Sequence, residues 1–329
     1  MKKKSYDVLT IGNAIVDVLA QASDGFLDER GLIKGAMRLI DEDEADALYA
    51  AMGPGIEVSG GSAANTAAGV AALGGDAAFI GRVRDDELGE VFIHDIRTQG
   101  VSFESACSND GPLTARCLVL MTPDAQRTLN TYLGASVTLA ESDVDTDLIA
   151  AAKVIYLEGY LWDAPQGPAI FRRAAELAKK TGREVAMTLS DPFCVDRHRA
   201  AFSEFITSSV DILFANEDEV KSLYEVAGFD EAADRAAEDV RVAALTRSEK
   251  GSVVCRGSDR HQISARPVKL VDTTGAGDLY ASGFLYGYTH GASLERAGHM
   301  GSICAAEIIS HVGARPRADL KALIAEQLG

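Results

Sequence analysis

The sequence predicts an α/β fold: a mainly parallel central sheet with helices on both faces, accompanied by a small β-sheet lid. Three observations carry this reading. Short β-rich apolar runs alternate with longer helical patterns through most of the 329 residues, as βαβ units require. An Ala-rich helical run at 62–73 stops at Gly74-Gly75, and an apolar strand follows at once. Two stretches, 19–40 and 112–132, break the rhythm with strand-like runs that lack crossover helices.

Taken in order, 8–11 is the first strand, 62–73 a helix, Ala77–Ile80 the next strand and Glu87–Thr98 the next helix. Further strands fall at 154–157, 184–189, 211–214, Val242–Thr246 and 251–255, with helices at 167–180 and 217–225 between some of them. The second half therefore reads as doubly wound. Strand candidates at 116–122 and Arg127–Tyr132 flank Pro123-Asp124. They read as parts of one antiparallel sheet, discontinuous in sequence, lying over the main domain. The expected organisation is one large domain over 1–329, with a lid inserted from about 17–40 and 110–135. No internal repeat or heptad run is visible.

Composition narrows the function classes. With 49 Asp+Glu against 32 Lys+Arg, the formal charge is −17. An acidic balance opposes partners that coat nucleic acid or anionic membranes, because each phosphate neutralised calls for a cation. Five scattered cysteines, none in C-x-x-C spacing, suggest neither a disulfide framework nor a zinc site, so a reducing cytoplasm is expected. Lys2, Lys3 and Lys4 ahead of an apolar run imitate a signal peptide, but Asp7, Asn13 and Asp17 interrupt that run. No segment offers the uncharged apolar length of a membrane span.

Two segments carry chemistry. In Asp272-Thr273-Thr274-Gly275-Ala276-Gly277-Asp278, two glycines let a ligand approach the main chain at the start of a helix, where N–H groups and the helix dipole favour an anion. Asp278 would repel a bound phosphate unless it has a separate task. General base is such a task, accepting a hydroxyl proton as the oxygen attacks a phosphoryl group. The competing reading makes Thr273 or Thr274 an N-cap and Asp278 a dipole partner. Earlier, Gly60-Gly61-Ser62-Ala63-Ala64-Asn65 leads a glycine pair into the Ala-rich helix. There Asn65 offers a donor and an acceptor to ribose-type hydroxyls. Read alone, Ser62 is an N-cap and Asn65 a solvated helix residue. A Walker A motif is absent, since no Gly-Lys pair occurs.

Together these segments resemble the two motif regions of the ribokinase-like (PfkB) family of carbohydrate and nucleoside kinases. So do the opening Gly12-Asn13-Ala14-Ile15-Val16-Asp17, the run 211–219 and the late Gly313-Ala314-Arg315. The resemblance spans nearly the whole chain and implies a ribokinase-like α/β body with a small β lid closing over substrate. It implies Asp278 as catalytic base, with the backbone of Gly275, Ala276 and Gly277 as anion hole. Asn13, Asp17, Gly60, Gly61, Ser62 and Asn65 match substrate-hydroxyl positions. Asn216 and Glu219 match an N-x-x-E element that organises Mg2+ and phosphate through water, although Asn216 also reads as an N-cap. Thr246 and Gly251 match positions bordering ATP, together with Asn216, Gly275 and Gly277. Arg127 resembles a lid arginine reaching the transferring phosphate. Asp272 and the 313–315 loop resemble the family's K+ region.

Within the family, Ser62 with Asn65, the run 188–193 and 211–216 resemble adenosine kinases. Tyr160, Trp162 and Phe193 would then form an aromatic slot for a purine. Thr274 follows the general sugar-kinase form, and Met37 stands where adenosine kinases place a base-contacting Gln. The expected activity is ATP-dependent phosphorylation of a nucleoside 5′-hydroxyl, adenosine foremost. The rivals are a kinase for a simple sugar such as ribose or fructose, and a non-catalytic nucleoside-binding protein. Because lids in this family pair in some members only, monomer and homodimer both stay open.

Overall fold

A computed structural model describes residues 4–124 and 126–329; Lys2, Lys3 and Ala125 of the segments quoted above lie outside the described residues. The strands in chain order are β1 (Tyr6–Ile11), β2 (Ile15–Gln21), β3 (Met37–Leu39), β4 (Gly55–Gly60), β5 (Ala77–Ile80), β6 (Ser102–Phe103) and β7 (Ala115–Met121). They continue as β8 (Arg127–Tyr132), β9 (Ala152–Glu158), β10 (Glu184–Thr188), β11 (Ile212–Asn216), β12 (Val242–Thr246), β13 (Ser252–Arg256) and β14 (Asp259–Ile263). A nine-stranded sheet runs β14-β13-β12-β11-β10-β9-β1-β5-β6. It is parallel from β12 to β6 and antiparallel only at the β12-β13-β14 edge.

Alternation along the central strands sorts their side chains into two cores. Leu9, Ile11, Ile155, Leu157, Met187 and Leu213 join the cluster on one face. Val8, Val154, Tyr156, Ala186 and Phe214 join the other. Such strands are apolar on both faces because helices cover both. The mainly parallel sheet with helices on both faces is thus the fold that the sequence rhythm predicts.

Five strands, β3-β8-β7-β2-β4, form the smaller sheet, which is mixed rather than antiparallel as expected: β2-β4 and β7-β8 run antiparallel, but β2-β7 and β3-β8 run parallel, since long connections rather than hairpins join those pairs. Its β2 alternates between buried and half-buried residues, sending Val16, Val18 and Ala20 into the core while Ile15, Asp17 and Leu19 face the other way. That period places Asp17 on the face that the core does not fill.

Three local features depart from the sequence reading. Within 19–40 the chain forms the end of β2, a short helix, Asp24–Glu29, capped by Ser23, and the three-residue strand β3. The small sheet also takes in β4, which lies outside both expected lid segments. Gly53, Pro54 and Gly55 conceal it as a strand, and its ladder comes from pairing with β2. Helices Glu42–Ala51 and Pro192–Ser209, capped by Asp41 and Asp191, complete layers that the strand rhythm left unspecified. Among the described residues, no helix is long and apolar enough to cross a membrane.

Candidate active site

The parallel strands of the large sheet end on one side of the molecule, and residues implied by the motifs follow those ends. Asn13 lies just past β1, Tyr160 past β9, and Asn216 and Thr246 close β11 and β12. The last two are register partners on adjacent strands. Crevices at carboxyl ends of parallel strands are where open α/β sheets bind ligands.

Two helices bring the glycine motifs together. Helix Ser62–Ala72 and helix Ala276–Thr289 pack so closely that a Cβ on Gly69 would fall 2.3 Å from Ser282 Oγ. Ser282 Oγ donates to the Thr66 and Asp278 carbonyls at 2.9 and 2.7 Å, which fixes the two helices in register. Small residues along 62–72 make this approach possible. As a result, Asp278 Oδ1 accepts from Ser62 Oγ at 2.6 Å and Oδ2 from Asn65 Nδ2 at 2.8 Å.

These contacts decide between the readings that the sequence left open. The N-cap of the first helix is Gly61, at φ +93°, where a Cβ would lie 2.2 Å from the Asn13 carbonyl oxygen. Ser62 spends its hydroxyl on Asp278 rather than on a cap. At the second helix the N-cap is Gly275, at φ +77°, with no side-chain cap. Thr274 instead gives its N–H and hydroxyl to Asp272 Oδ1, at 3.0 and 2.8 Å. The helix start is therefore free of a capping side chain, so no side chain occupies its first amides. Ala276 N–H donates to the Thr273 carbonyl at 3.2 Å. A Cβ on Gly277 would meet no heavy atom within 4 Å, so the space beside that residue is open.

Asp17 and Asn13 line the same place. Gly60 faces Asp17 closely enough that a Cβ there would come within 2.5 Å of its carboxylate. Burial pushes the Asp17 pKa up to about 6, against the pull of Arg315 and Arg127. Asp278 is raised by burial too, with Ser62, Asn65 and Arg315 pulling the other way. Asn13 donates from Nδ2 to Glu158 Oε1 at 2.8 Å, while its Oδ1 is buried without a partner. That free acceptor is unusual for a buried amide and fits a ligand hydroxyl.

The nucleotide-side residues are arranged as follows. Asn216 caps helix Glu217–Tyr224 in a reciprocal box: its Oδ1 accepts from the Asp218 and Glu219 amides, and Glu219 Oε2 accepts from Asn216 N–H at 2.9 Å. Burial raises Glu219 to about 7. Gly251 forms the turn between β12 and β13, with its carbonyl accepting from Arg247 N–H at 2.7 Å. Arg127 Nη1 contacts Asp272 Oδ2 at 2.7 Å and Thr274 Oγ1 at 2.9 Å, while its Nε and Nη2 are buried without partners. Asp272 Oδ2 also accepts from Gly313 N–H at 3.0 Å, so its carboxylate ties Arg127, Thr274 and the 313–315 loop together.

The aromatic slot is corrected. Trp162 sits in the core, edge-on to Phe171, Phe202 and Phe205 with ring centroids 4.8–5.5 Å apart. Only Tyr160, half-buried with its hydroxyl donating to the Ser190 carbonyl at 3.3 Å, and the exposed Phe193 remain near the strand ends.

Sequence reasoning missed Glu158, and it named Arg315 only as part of the 313–315 loop. Glu158, 1% exposed, accepts from Asn13 and from Ala63 N–H at 2.8 Å, and burial raises it to about 7. Its signal was a carboxylate directly after the apolar run 154–157. Arg315 reaches Asn65 and Ser59 from the C-terminal loop. Nothing local in Gly313-Ala314-Arg315 announces that reach.

Comparison with known proteins identifies the family. The chain is 53% identical to the adenosine kinase of Sinorhizobium meliloti, over 98% of this chain and 99% of that one, with a TM-score of 0.91. It is 49% identical to a probable sugar kinase from Rhizobium etli CFN 42, over 98% of both chains, also with a TM-score of 0.91. Adenosine kinase of Saccharomyces cerevisiae is 28% identical, covering 93% of this chain and 95% of its own length. Residues 53–320 match the pfkB family carbohydrate kinases. The chain belongs to that family and is an ATP-dependent phosphotransferase.

Proposed function

We propose that this kinase phosphorylates the 5′-hydroxyl of a nucleoside, adenosine foremost, with Asp278 as general base. The observation that carries the reading is the Asp278 carboxylate, held by Ser62 and Asn65 at a glycine-capped helix start. The free Asn13 acceptor and Asp17 lie on the substrate side. Identity of 53% to an adenosine kinase over nearly the full chain supports a nucleoside acceptor.

In this mechanism Asn13 Oδ1, Asp17, and the main chain at Gly60 and Gly61 hold sugar hydroxyls, while Ser62 and Asn65 keep Asp278 aimed at the attacking oxygen. Asp278 takes the hydroxyl proton as the oxygen bonds to the transferring phosphorus and the bond to the leaving oxygen breaks. A reference carboxylate near pKa 3.9 is a weak base for an alcohol, so proton transfer lags behind phosphoryl departure. Burial shifts Asp278 toward a stronger base. The amides of Gly275, Ala276 and Gly277 stabilise the phosphoryl group in flight, with Ala276 released from the Thr273 carbonyl, and the unpaired Arg127 donors face the same charge.

No group of three or more His, Cys, Asp or Glu able to hold a metal occurs among the described residues. Magnesium would then arrive with ATP, and Asn216 and the buried Glu219, adjacent at the end of β11, would hold it through water. When bound, Mg2+ neutralises phosphate charge. Thr246 and Gly251 border the nucleotide. We assign the region of Asp272 and the 313–315 loop to K+.

A sugar acceptor is the second reading, favoured by the 49% identity to a probable sugar kinase and by Thr274. The deciding experiment is ADP release across a panel of nucleosides and sugars, with Mg2+ present and K+ present or omitted. Adenosine as the preferred acceptor supports the proposal; preference for free ribose or fructose overturns it.

A further inference from the structure

The loop after helix Leu294–Ile308 enters the site from the far end of the chain, and it is firmly held. Glu307 Oε1 accepts from the Arg317 and Ala318 amides at 2.9 Å, and Gly313 N–H donates to Asp272, so the loop is pinned on both sides of Arg315. Arg315 Nη1 donates to Asn65 Oδ1. Its Nη2 donates to the Ser59 carbonyl at 2.5 Å and to Ser59 Oγ at 2.9 Å. Ser59 in turn gives its N–H and hydroxyl to Asp95 at 2.9 and 2.5 Å.

This arrangement constrains Asn65 in a specific way. An amide can present either its oxygen or its NH2 to a neighbour, and the wrong face toward a carboxylate is repulsive. Because the guanidinium occupies the Asn65 oxygen, only the NH2 is left for Asp278. Ser59 lies in β4, one residue before the Gly60-Gly61 pair, so the same guanidinium also joins the small sheet to the body.

We propose that Arg315 is a positioning residue of the phosphoryl-transfer site, selecting the Asn65 orientation that donates to Asp278, anchoring β4 at Ser59, and setting a positive charge among Asp17, Asp95 and Asp278. The inference rests on Asp278 being the base. Groups facing Asp278 are Ser62 and Asn65 of helix Ser62–Ala72, Tyr156 and Glu158 of β9, Tyr160 after it, Asp17 of β2 and Arg315. Arg315 favours the ionised base, whereas Asp17 and Glu158 oppose it.

The test compares Arg315→Met and Arg315→Lys with wild type in kcat and KM against pH, using the acceptor that the panel identifies, alongside melting temperatures. In Arg315→Met the acidic limb of kcat moves to higher pH by about one unit, a roughly tenfold loss on that limb, while KM for ATP is unchanged. Arg315→Lys keeps the limb in place but has a lower kcat, since an ammonium cannot fork between Asn65 and Ser59. An unmoved limb in Arg315→Met overturns the proposal. If that variant does not fold, wild-type kcat in Arg315→Lys overturns it instead. Asp278→Asn is run in parallel. An active Asp278→Asn removes the base assignment itself, whereas an inactive one beside an unmoved Arg315→Met limb removes only the role of Arg315.

Discussion

Consecutive strands β1 and β2 are only three residues apart in sequence yet belong to different sheets with different physics. In β1 every residue is buried, as suits a central strand covered on both sides. In β2 burial alternates, leaving Asp17 on the face away from the core. The same contrast holds for the sheets as wholes. The large sheet is flanked by two apolar clusters, whereas the small sheet and its approaches leave Ile33, Met37, Leu39 and Ile56 more than half exposed. A two-faced core gives a rigid frame on which strand ends hold functional groups at fixed spacing. A one-faced sheet can present side chains to a ligand and shift when the ligand arrives.

Breaking the frame's chemistry should have the largest effect. Asp278→Asn is expected to lower kcat by about 10²–10⁴-fold while leaving binding of acceptor and ATP nearly intact, as steady-state kinetics and calorimetry would show. Undiminished turnover would take Asp278 out of the mechanism. Breaking the frame's packing comes next. Trp162→Ala should cost about 3–5 kcal/mol of stability, read from denaturant unfolding, because its ring is enclosed by three phenylalanines. A purine-contacting Trp162 would instead raise KM with little loss of stability.

A smaller effect concerns pH. Glu158 and Glu219 have folded pKa values near 7 against a reference of 4.5. Between those values the folded state binds more protons than the unfolded state, so stability falls as pH rises. Their contribution is full below about 4.5 and lost once pH passes 7. Denaturant midpoints between pH 5 and 8 should fall accordingly, and a rising midpoint would contradict the assignment. The smallest effect belongs to the surface of the small sheet: Ile56→Ser should change stability by no more than about 0.5 kcal/mol. A large loss in melting temperature would mean that this edge is covered in solution.

Much of the frame was legible. Ala77–Ile80, Glu87–Thr98 and Val242–Thr246 have the bounds that their local patterns indicate. Apolar period, helix-stopping glycines and strand composition are properties of neighbouring residues, so sequence carries them. What escaped was chemistry assembled at a distance. Strand β4 is hidden by its glycines and exists through pairing with β2. Trp162 looked available for a ligand because sequence does not show the three rings that enclose it.

By itself, the sequence determined most strands of the large sheet, the two glycine motifs and the presence of a carboxylate at a helix start. It left Ser62, Thr274 and Asn216 as capping candidates, and only Asn216 caps a helix. The tertiary structure decided the rest: Thr274 turns to Asp272 two positions back, but the partner of Ser62, Asp278, lies 216 positions away, and the contacts of Asn65 with Asp278 and of Arg315 with Ser59 span 213 and 256 positions. A hydrogen bond is specific to a few tenths of an ångström and indifferent to sequence separation, so helix packing and a returning loop had to bring these groups together before their roles could be told apart.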